Sequence, residues 1–393
     1  MLTFFALIIG ILFGTITGLI PGIHINQISV IVLAISSSLP FSPIVIAVFI
    51  VSMSITHTFT DFLPSIFLGS PDEDSALSVL PGHKMLQQGK AYQAVLLTIY
   101  GSIAGIFITL FFIPVFIFLL PKIYPYIEKF IVFILLLASL FLIIKEKNKL
   151  LAMIIFLLAG SLGALTLNLP MENSLLPLLT GLFGASTLSI SLIQKTKVKK
   201  QIIKKPKIKL KAILKSTFPS FIASPLVSFL PSLGASQAAI ISLGMKKFSS
   251  KQFLILLGSI NTIVMGLSFL TLYTIKRART GSALAVSKIL PSFSHQHLFI
   301  IVLSILIASI FASYITIYLA KILSKKITKI NYQVISLIVL IFISIITIIF
   351  SGLIGFLIFI LATGLGIFCI ISKVRRTQLM GALMIPTILF YIL

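Results

Sequence analysis

The sequence predicts an all-α polytopic membrane protein made of two inverted-topology repeats, with broken or re-entrant half-helices meeting near the bilayer midplane. Of its 393 residues, 58% are hydrophobic and 10% are charged, and the mean hydropathy is +1.20. Soluble domains carry about 25% charged residues, and many apolar runs here reach the roughly 20 residues that a spanning helix needs. This composition excludes a soluble enzyme, a secreted disulfide scaffold and a nucleic-acid-binding domain.

The excess of basic residues is best explained by membrane topology. Lys and Arg number 31 against seven acids, and most of the bases lie in short loops between apolar runs, as the positive-inside rule describes. The densest block, residues 194–215, holds ten lysines and no acid. We expect it to be a cytoplasmic linker facing anionic lipid, between a first membrane repeat at residues 1–193 and a second at residues 216–393.

Eight apolar runs lie on each side of this linker. In the first repeat they are 2–20, 28–38, 43–59, 62–70, 92–120, 127–144, 150–168 and 174–193. In the second they are 218–231, 236–244, 252–275, 281–290, 297–323, 331–350, 352–372 and 377–393. Four runs are too short to span a bilayer and follow Pro, Gly or polar residues that break a helix: 28–38, 62–70, 236–244 and 281–290. We expect these to be half-helices or re-entrant hairpins, buried in protein or lining a wet cavity.

Local sequence matches indicate a duplication. Residues 21–27 align with residues 231–237, which lie 210 positions later. Two weaker matches keep the same order and nearly the same offset: 54–56 with 259–261, and 75–77 with 282–284.

The loop charges predict that the two halves are inverted. With the linker inside, the loop at 145–149 is inside and the loop at 121–126 is outside. With Arg375 and Arg376 inside, the equivalent turn near Ser351 is outside and the equivalent loop at 324–330 is inside. Equivalent loops with opposite charge bias are typical of the inverted repeats of secondary transporters.

A first group of polar residues surrounds Pro21 and its counterpart Pro231. A break there frees N–H groups at the start of the following helix, which form an anion site without any Lys. Two such starts converging from opposite sides would suit a carboxylate or a phosphate. The candidate substrate-binding residues of this group are Gly22, His24, Asn26, Gln27, Ser232, Gly234, Ser236 and Gln237. The alternative is a pair of proline kinks in closely packed helices.

A second group lies between Ser52 and His83, where four of the seven acids and two of the five His occur. An acid in or near a span is costly and is usually kept for coupling or pairing. A helix would place His57 and Asp61 on one face, where they can share a proton, and hydroxyl and carbonyl oxygens could complete a Na⁺ site. The candidate ion-coupling residues are Thr56, His57, Thr58, Asp61, Asp72, Glu73 and Asp74.

The alternatives for this second group are structural. Asp61 could cap the next helix while His57 only packs, and the acids at 72–74 could be a solvated loop with capping carboxylates. We assign no metal site, because the spacing of the His and acidic residues matches no recognised ligand pattern.

A third group consists of Asn261, Arg277 and Arg279, which are further candidates for substrate binding. The basic tract at 276–280 falls on the predicted outer side and breaks the positive-inside pattern. Either it pairs with the acids at 72–74 across the pseudo-twofold axis, or it attracts an anionic substrate. The alternative is a basic surface loop.

These motifs resemble the large membrane (permease) subunit of the tripartite tricarboxylate transporters, in particular their archaeal branch. The matching pieces are 19–26, 57–65, 69–74, 80–83, 179–184 and 376–381, so the resemblance covers almost the whole chain. It implies uptake of di- or tricarboxylates driven by an ion gradient. Bacterial systems of this kind also use a small membrane subunit and an extracytoplasmic binding protein. The chain departs from the bacterial pattern at 21–24 and 231–234, where those proteins have a Pro-Gly-Leu-Gly type of motif.

Two functions from different classes follow. The first is a secondary active transporter for an organic anion, foremost a di- or tricarboxylate, driven by Na⁺ or H⁺ and without catalysis or any other cofactor. The second is a flippase for an anionic lipid such as a polyprenyl phosphate, which paired half-helices and a basic linker would also suit. A channel is disfavoured because no repeated filter motif occurs. The expected partners are the substrate anion and the bilayer, with no nucleic acid.

Overall fold

The protein is helical throughout the part of the chain that the structure describes. A computed structural model describes residues 1–20, 25–69, 75–171, 173–193, 198–228, 234–278, 280–327 and 332–392. Within these ranges there is no strand, and eight helices are long and apolar enough to cross a membrane, by length and composition. The prediction of an all-α polytopic membrane protein is therefore confirmed. The inverted relation of its halves stays a prediction.

The helices follow the predicted apolar runs closely. The first half contains α1 (Leu2–Leu19), α2 (Ile25–Ile35), α3 (Pro43–Thr60), α4 (Phe62–Phe67), α5 (Val79–Gln87), α6 (Ala91–Ile144), α7 (Lys149–Asn168), α8 (Leu175–Leu179) and α9 (Ser186–Ile193). The second half contains α10 (Leu210–Ser228), α11 (Ala235–Met245), α12 (Ser250–Ile275), α13 (Gly281–Ile289), α14 (His295–Lys326), α15 (Tyr332–Ile371) and α16 (Gly381–Ile392). A π-helical stretch, Thr180–Ala185, joins α8 and α9.

Burial separates inner helices from outer ones. The span formed by α3 and α4 is 83% buried inside the protein and that of α12 is 94% buried, whereas that of α15 is 22% buried. An apolar helix with most of its surface exposed is suited to lipid contact, because lipid chains are as apolar as its side chains. The inner helices α3 and α12 are therefore where polar residues are shielded from lipid.

Helices α6 and α12 pack with almost no side chain between their backbones. A Cβ atom on Gly101 would lie 1.9 Å from the carbonyl oxygen of Ile255, and one on Gly258 would lie 2.0 Å from that of Thr98. No side chain fits at such distances, so this crossing requires glycine. Small residues at a helix crossing are the usual way for membrane helices to gain close packing.

The predicted outer loop at 121–126 is wrong. Those residues are helical and lie inside α6, which also contains Pro114, Pro121 and Pro125. A proline removes one backbone hydrogen bond and bends a helix, but neighbouring groups in a membrane bundle can satisfy the freed carbonyl. Helix α10 begins at Leu210, within the range 194–215 that the sequence assigns to the linker.

The predicted turn near Ser351 is confirmed. Gly352 interrupts α15 with φ 65° and ψ −168°, a left-handed conformation that glycine adopts readily. The Asn173 side chain donates to the carbonyl of Phe350 at 3.3 Å, and the Ser351 hydroxyl donates to the carbonyl of Asn173 at 3.3 Å. The turn therefore lies beside Asn173, just before the start of α8.

Two sets of contacts join basic segments of the chain to neighbouring loops. Gln201 of the linker accepts a hydrogen bond from the backbone N–H of Ala91 at 2.9 Å and donates to the carbonyl of Leu86 at 3.0 Å. Arg375 forms an ion pair with Glu146 at 3.4 Å, which joins the segment after α15 to the α6–α7 loop. The ion pair agrees with the inner side predicted for Arg375 and for the loop at 145–149.

Candidate functional site at the crossing of α3 and α12

The polar centre of the inner helices is a contact between Asp61 and Asn261. The amide nitrogen of Asn261 donates to Asp61 Oδ2 at 2.9 Å and to the carbonyl of Thr58 at 3.4 Å. Both side chains are 2% exposed. The two residues are 200 positions apart and come from opposite halves, so one hydrogen bond links the predicted ion-coupling residues to a predicted substrate-binding residue.

The backbone confirms that His57 and Asp61 are one helical turn apart. The N–H of Asp61 donates to the carbonyl of His57 at 3.0 Å, and Asp61 itself has α-helical φ and ψ. The Asp61 side chain makes no capping hydrogen bond to the start of α4, which disfavours the capping alternative. His57 Nδ1 lies 3.1 Å from the Thr17 hydroxyl of α1, so His57 is held by a polar contact as well as by packing.

Two threonines of α3 are buried within two turns of Asp61. The Thr58 hydroxyl donates to the carbonyl of Ile55 at 2.8 Å, which leaves its lone pairs available to a cation. The Thr56 hydroxyl is buried and has no hydrogen-bond partner among the described residues. Residues two apart in a helix point to nearly opposite sides, so these two threonines do not share a face. The Asp61 carboxylate and the Thr58 hydroxyl are the kinds of oxygen ligand that a small hard cation prefers.

The start of α2 packs against the start of α13. The Asn26 side chain accepts a hydrogen bond from the N–H of Ser282 at 3.4 Å, and the Ser282 hydroxyl lies 2.9 Å from those of Ser29 and Ser54. A Cβ atom on Gly281 would lie 2.7 Å from Asn26 Cβ. Asn26 thus helps to satisfy the first turn of α13. The role of Ser29 carried no sequence signal, because single serines in apolar runs are common, and Ser282 stood out only through the weak repeat match of 282–284 with 75–77.

The start of α11 is a broken helix, as predicted. Gly234 precedes the helix in an extended conformation, and its N–H donates to Gln237 Oε1 at 3.0 Å. Ser236 and Gln237 are both buried. The Gln237 carbonyl oxygen therefore stabilises its own helix start, and the amide nitrogen is the group left for a ligand.

Arg277 contacts an aromatic side chain of the other half. Its Nη1 donates to the Tyr124 hydroxyl at 3.0 Å, and its guanidinium lies 5.3 Å from the centre of that ring. Tyr124 belongs to the range 121–126, which was assigned to the outer side with the tract at 276–280. The cation–π contact orients Arg277.

Some of the predicted site residues lie outside the described part of the chain. Outside the described residues lie Gly22, His24, Asp72, Glu73, Asp74, Ser232 and Arg279, together with the side chain of Gln27. The described part of the site is thus the α3–α12 crossing and the flanking starts of α2, α11 and α13.

Comparisons with known proteins identify the family of the chain and one relative. The sequence profile of the family described as "Tripartite tricarboxylate transporter TctA family" matches residues 4–381. An uncharacterized protein of Methanocaldococcus jannaschii is 33% identical over 406 aligned positions, which cover 100% of both chains. No solved structure matches the chain.

Proposed function

Because the chain belongs to the tripartite tricarboxylate transporter TctA family, it is a multi-pass membrane transporter and not an enzyme, and we propose that it takes up a di- or tricarboxylate with Na⁺ or H⁺. The observation that carries this proposal is the buried hydrogen bond between Asp61 and Asn261. A carboxylate inside a membrane bundle is expensive and is by default a functional residue. Here it joins the two inner helices.

Ion coupling follows from the chemistry of Asp61. A proton or a Na⁺ ion would neutralise its carboxylate and weaken its hold on the Asn261 amide, which is a charge-assisted hydrogen bond while the acid is ionised. The strength of a contact between α3 and α12 would then depend on the bound cation. His57, Thr56 and Thr58 lie within one turn or two of Asp61 and supply further polar groups.

The anion would bind at the broken helix starts beside this crossing. The first turns of α2 and α11 present backbone N–H groups, and Asn26, Ser236 and Gln237 add neutral side chains. A neutral site of this kind holds a carboxylate without trapping it by full charge pairing. Asn261 would contact the anion from α12, and Arg277 would raise the local anion concentration at the outer mouth.

The packing supports the presence of two structural repeats. Helix α1 packs on α3 as α10 packs on α12, and α14 packs on α3 as α6 packs on α12. Equivalent helices thus make equivalent contacts, as a pseudo-twofold axis would require. We propose that the halves rock about this axis to alternate access, that the linker at 194–215 is cytoplasmic, and that the family's small membrane subunit and extracytoplasmic binding protein are partners.

Proteoliposomes with imposed Na⁺ or H⁺ gradients test this function. We expect gradient-driven accumulation of at least one radiolabelled di- or tricarboxylate. The variant Asp61→Asn should lose accumulation while it retains much of the exchange of internal for external substrate, because it removes the titratable group and keeps the side-chain shape. Glu172→Gln, which removes an acid elsewhere in the chain, should accumulate normally.

Three results would contradict the proposal. Unchanged accumulation in Asp61→Asn would remove that residue from coupling, and loss of folded protein would show that Asp61 is structural. Absence of carboxylate flux under any gradient, together with transfer of a labelled polyprenyl phosphate between leaflets, would favour the lipid alternative.

A further inference from the structure

A large basic cavity lies apart from the α3–α12 crossing. Its volume is about 720 Å³, and it opens where α5, the ends of α6 and α11, and the segment after α15 come together. Six bases line it: Lys84, Lys145, Lys246, Lys247, Arg375 and Arg376. Four aromatic rings form much of the remaining wall: Phe141, Phe183, Phe248 and Phe253. Small-molecule sites occupy about 300–1,000 Å³, so the cavity has the size of a binding site.

Arg376 is the anchor of this basic cavity. It is 6% exposed, and it donates to the carbonyls of Leu182 and Phe183 at 2.9 and 2.6 Å and to the hydroxyl of Ser186 at 2.8 Å. It also donates to the hydroxyl of Thr187. These acceptors are all neutral, so they orient the guanidinium without cancelling its charge. Its Nε is buried with no hydrogen-bond partner among the described residues.

A half-buried lysine, Lys246, reinforces this pattern. The ammonium nitrogen of Lys246 is shielded from solvent, has no hydrogen-bond partner among the described residues, and lies 5.7 Å from the centre of the Phe248 ring. The neighbouring acid Glu146 contacts Arg375 at 3.4 Å, where it offsets one base of the six.

Membrane topology alone does not explain these charges. The positive-inside rule requires bases in loops near the end of a span, and exposed lysines satisfy it. It gives no reason to bury an arginine among neutral acceptors or to direct several further cations at one cavity. Buried charges are normally paired, because desolvation without a counter-charge is costly. The shortage of counter-charge among the described residues is therefore the informative feature of the cavity.

We propose that the basic cavity is a binding site for a multivalent oxyanion, a small polycarboxylate or a phosphate group, separate from Asp61 and Asn261. Arginine and lysine side chains bind both kinds of oxyanion, and the fork of a guanidinium can hold two oxygens at once. The aromatic walls lower the local polarity and strengthen each charge contact. The phosphate could belong to a soluble molecule or to the headgroup of an anionic lipid, since both present the same chemistry. The inference does not depend on which solute the protein transports.

The chain contains no tryptophan, so a single introduced indole can report on the cavity. We would place Phe248→Trp in the full-length protein, reconstitute it in nanodiscs of phosphatidylcholine, and titrate citrate or inorganic phosphate at constant ionic strength. We expect a saturable change in emission. The same substitution at Phe299, which is 69% exposed on α14 and does not line the cavity, should give no saturable change.

Charge removal on the Phe248→Trp background gives the decisive comparison. Lys246→Gln with Lys247→Gln should weaken the apparent affinity roughly tenfold or more, as the loss of close charge contacts does in other complexes. Lys325→Gln with Lys326→Gln removes an adjacent pair of exposed lysines at the end of α14 and should leave the titration unchanged.

Nanodiscs containing cardiolipin separate the two sources of phosphate. A response to citrate or phosphate in phosphatidylcholine identifies a soluble ligand, whereas a response to cardiolipin alone, reduced in the Lys246 and Lys247 double variant, identifies a lipid headgroup. Either result supports an oxyanion site. The proposal is overturned if neither kind of ligand changes the emission, or if the cavity variant and the α14 variant titrate alike. Neither of these outcomes depends on a measurement of transport by the protein.

Discussion

The contact of α2 with α13 and the basic cavity beside α5 and α11 are two places where short helices from opposite halves come near each other, and they differ in almost every respect. At the first, which we term the sealed contact, Asn26 and Gly281 touch and the hydroxyls of Ser29 and Ser282 are 2.9 Å apart. At the second, α5 and α11 line opposite parts of a cavity of about 720 Å³.

The difference teaches how charge controls the approach of two helices. Neutral hydroxyl and amide groups donate and accept in turn, so they can close to hydrogen-bond distance without any ligand. Six cations cannot do this as readily, because like charges repel one another. A bound multivalent anion would remove that repulsion, and we expect the walls of the basic cavity to draw together around it. Ligand-dependent closure of one end is what an alternating-access protein requires.

The largest expected effect comes from the anchor of the basic cavity. Arg376→Gln removes four hydrogen bonds and leaves buried acceptors such as the Leu182 carbonyl unsatisfied, so we expect the free energy of unfolding to fall by about 3–5 kcal/mol. Arg375→Gln is the matched control. Its side chain is 63% exposed and that of its partner Glu146 is 7% exposed, so we expect a smaller loss of roughly 1–2 kcal/mol, between the costs for an exposed pair and for a buried one.

Unfolding in mixed micelles, followed by far-UV circular dichroism, measures both variants. Equal stability of the two would mean that Arg376 is not held as the structure describes, and the contrast between a rigid cavity anchor and a mobile rim residue would then disappear.

Sequence patterns predicted much of this fold because membrane helices have strong signals. Apolar run length located the spans, and proline and glycine located the helix starts at Ile25 and Ala235. The spacing of His57 and Asp61 predicted their common face. Asn261 was singled out through its place in the repeat, and in the structure its side chain donates a hydrogen bond to Asp61.

Other features left no such trace. Helix α6 continues through Pro121, whereas a proline at that point of the sequence is typical of a helix end. Ser29 and Ser282 are 253 residues apart, and a serine in an apolar run has no distinctive periodicity or charge. The sequence identified Arg376 only as one of the bases expected on the inner side. Its burial among carbonyls of another helix depends on tertiary packing, which a local pattern does not contain.

A smaller effect is the dependence of stability on pH, which we expect at the basic cavity and not at the sealed contact. His83 on α5 is buried, and desolvation together with the charge of Arg376 lowers the pKa of its imidazole from 6.5 to about 4, although a hydrogen bond with the Ile66 backbone opposes this. In the unfolded chain the imidazole binds a proton below about pH 6.5. Stability should therefore fall as the pH decreases from 6.5 to 4, by about 3 kcal/mol in all, and level off below that.

Stability measured across this pH range in wild type and in His83→Gln tests the assignment. The variant cannot titrate at this position, so its curve should be flatter between pH 6.5 and 4. Curves with the same slope would show that another group is responsible. The hydrogen-bonding groups described at the sealed contact, the side chains of Asn26, Ser29, Ser54 and Ser282, do not titrate in this range, so that contact should be insensitive to pH.

The smallest expected change in stability tests the sealed contact with one methyl group. A Cβ atom on Gly281 would lie 2.7 Å from Asn26 Cβ and 3.0 Å from the Asn26 backbone, so Gly281→Ala should push α2 and α13 apart and cost about 1–3 kcal/mol. Gly244→Ala on α11 is the matched control, because nothing lies within 4 Å of its added methyl group. There alanine should be neutral or slightly stabilising, since glycine is the poorer helix former. In proteoliposomes we expect uptake to fall roughly tenfold in Gly281→Ala, because displacements near 1 Å at a positioned site have effects of this order or larger. If both variants transport and unfold alike, the close packing of Gly281 against Asn26 is not what holds the sealed contact together.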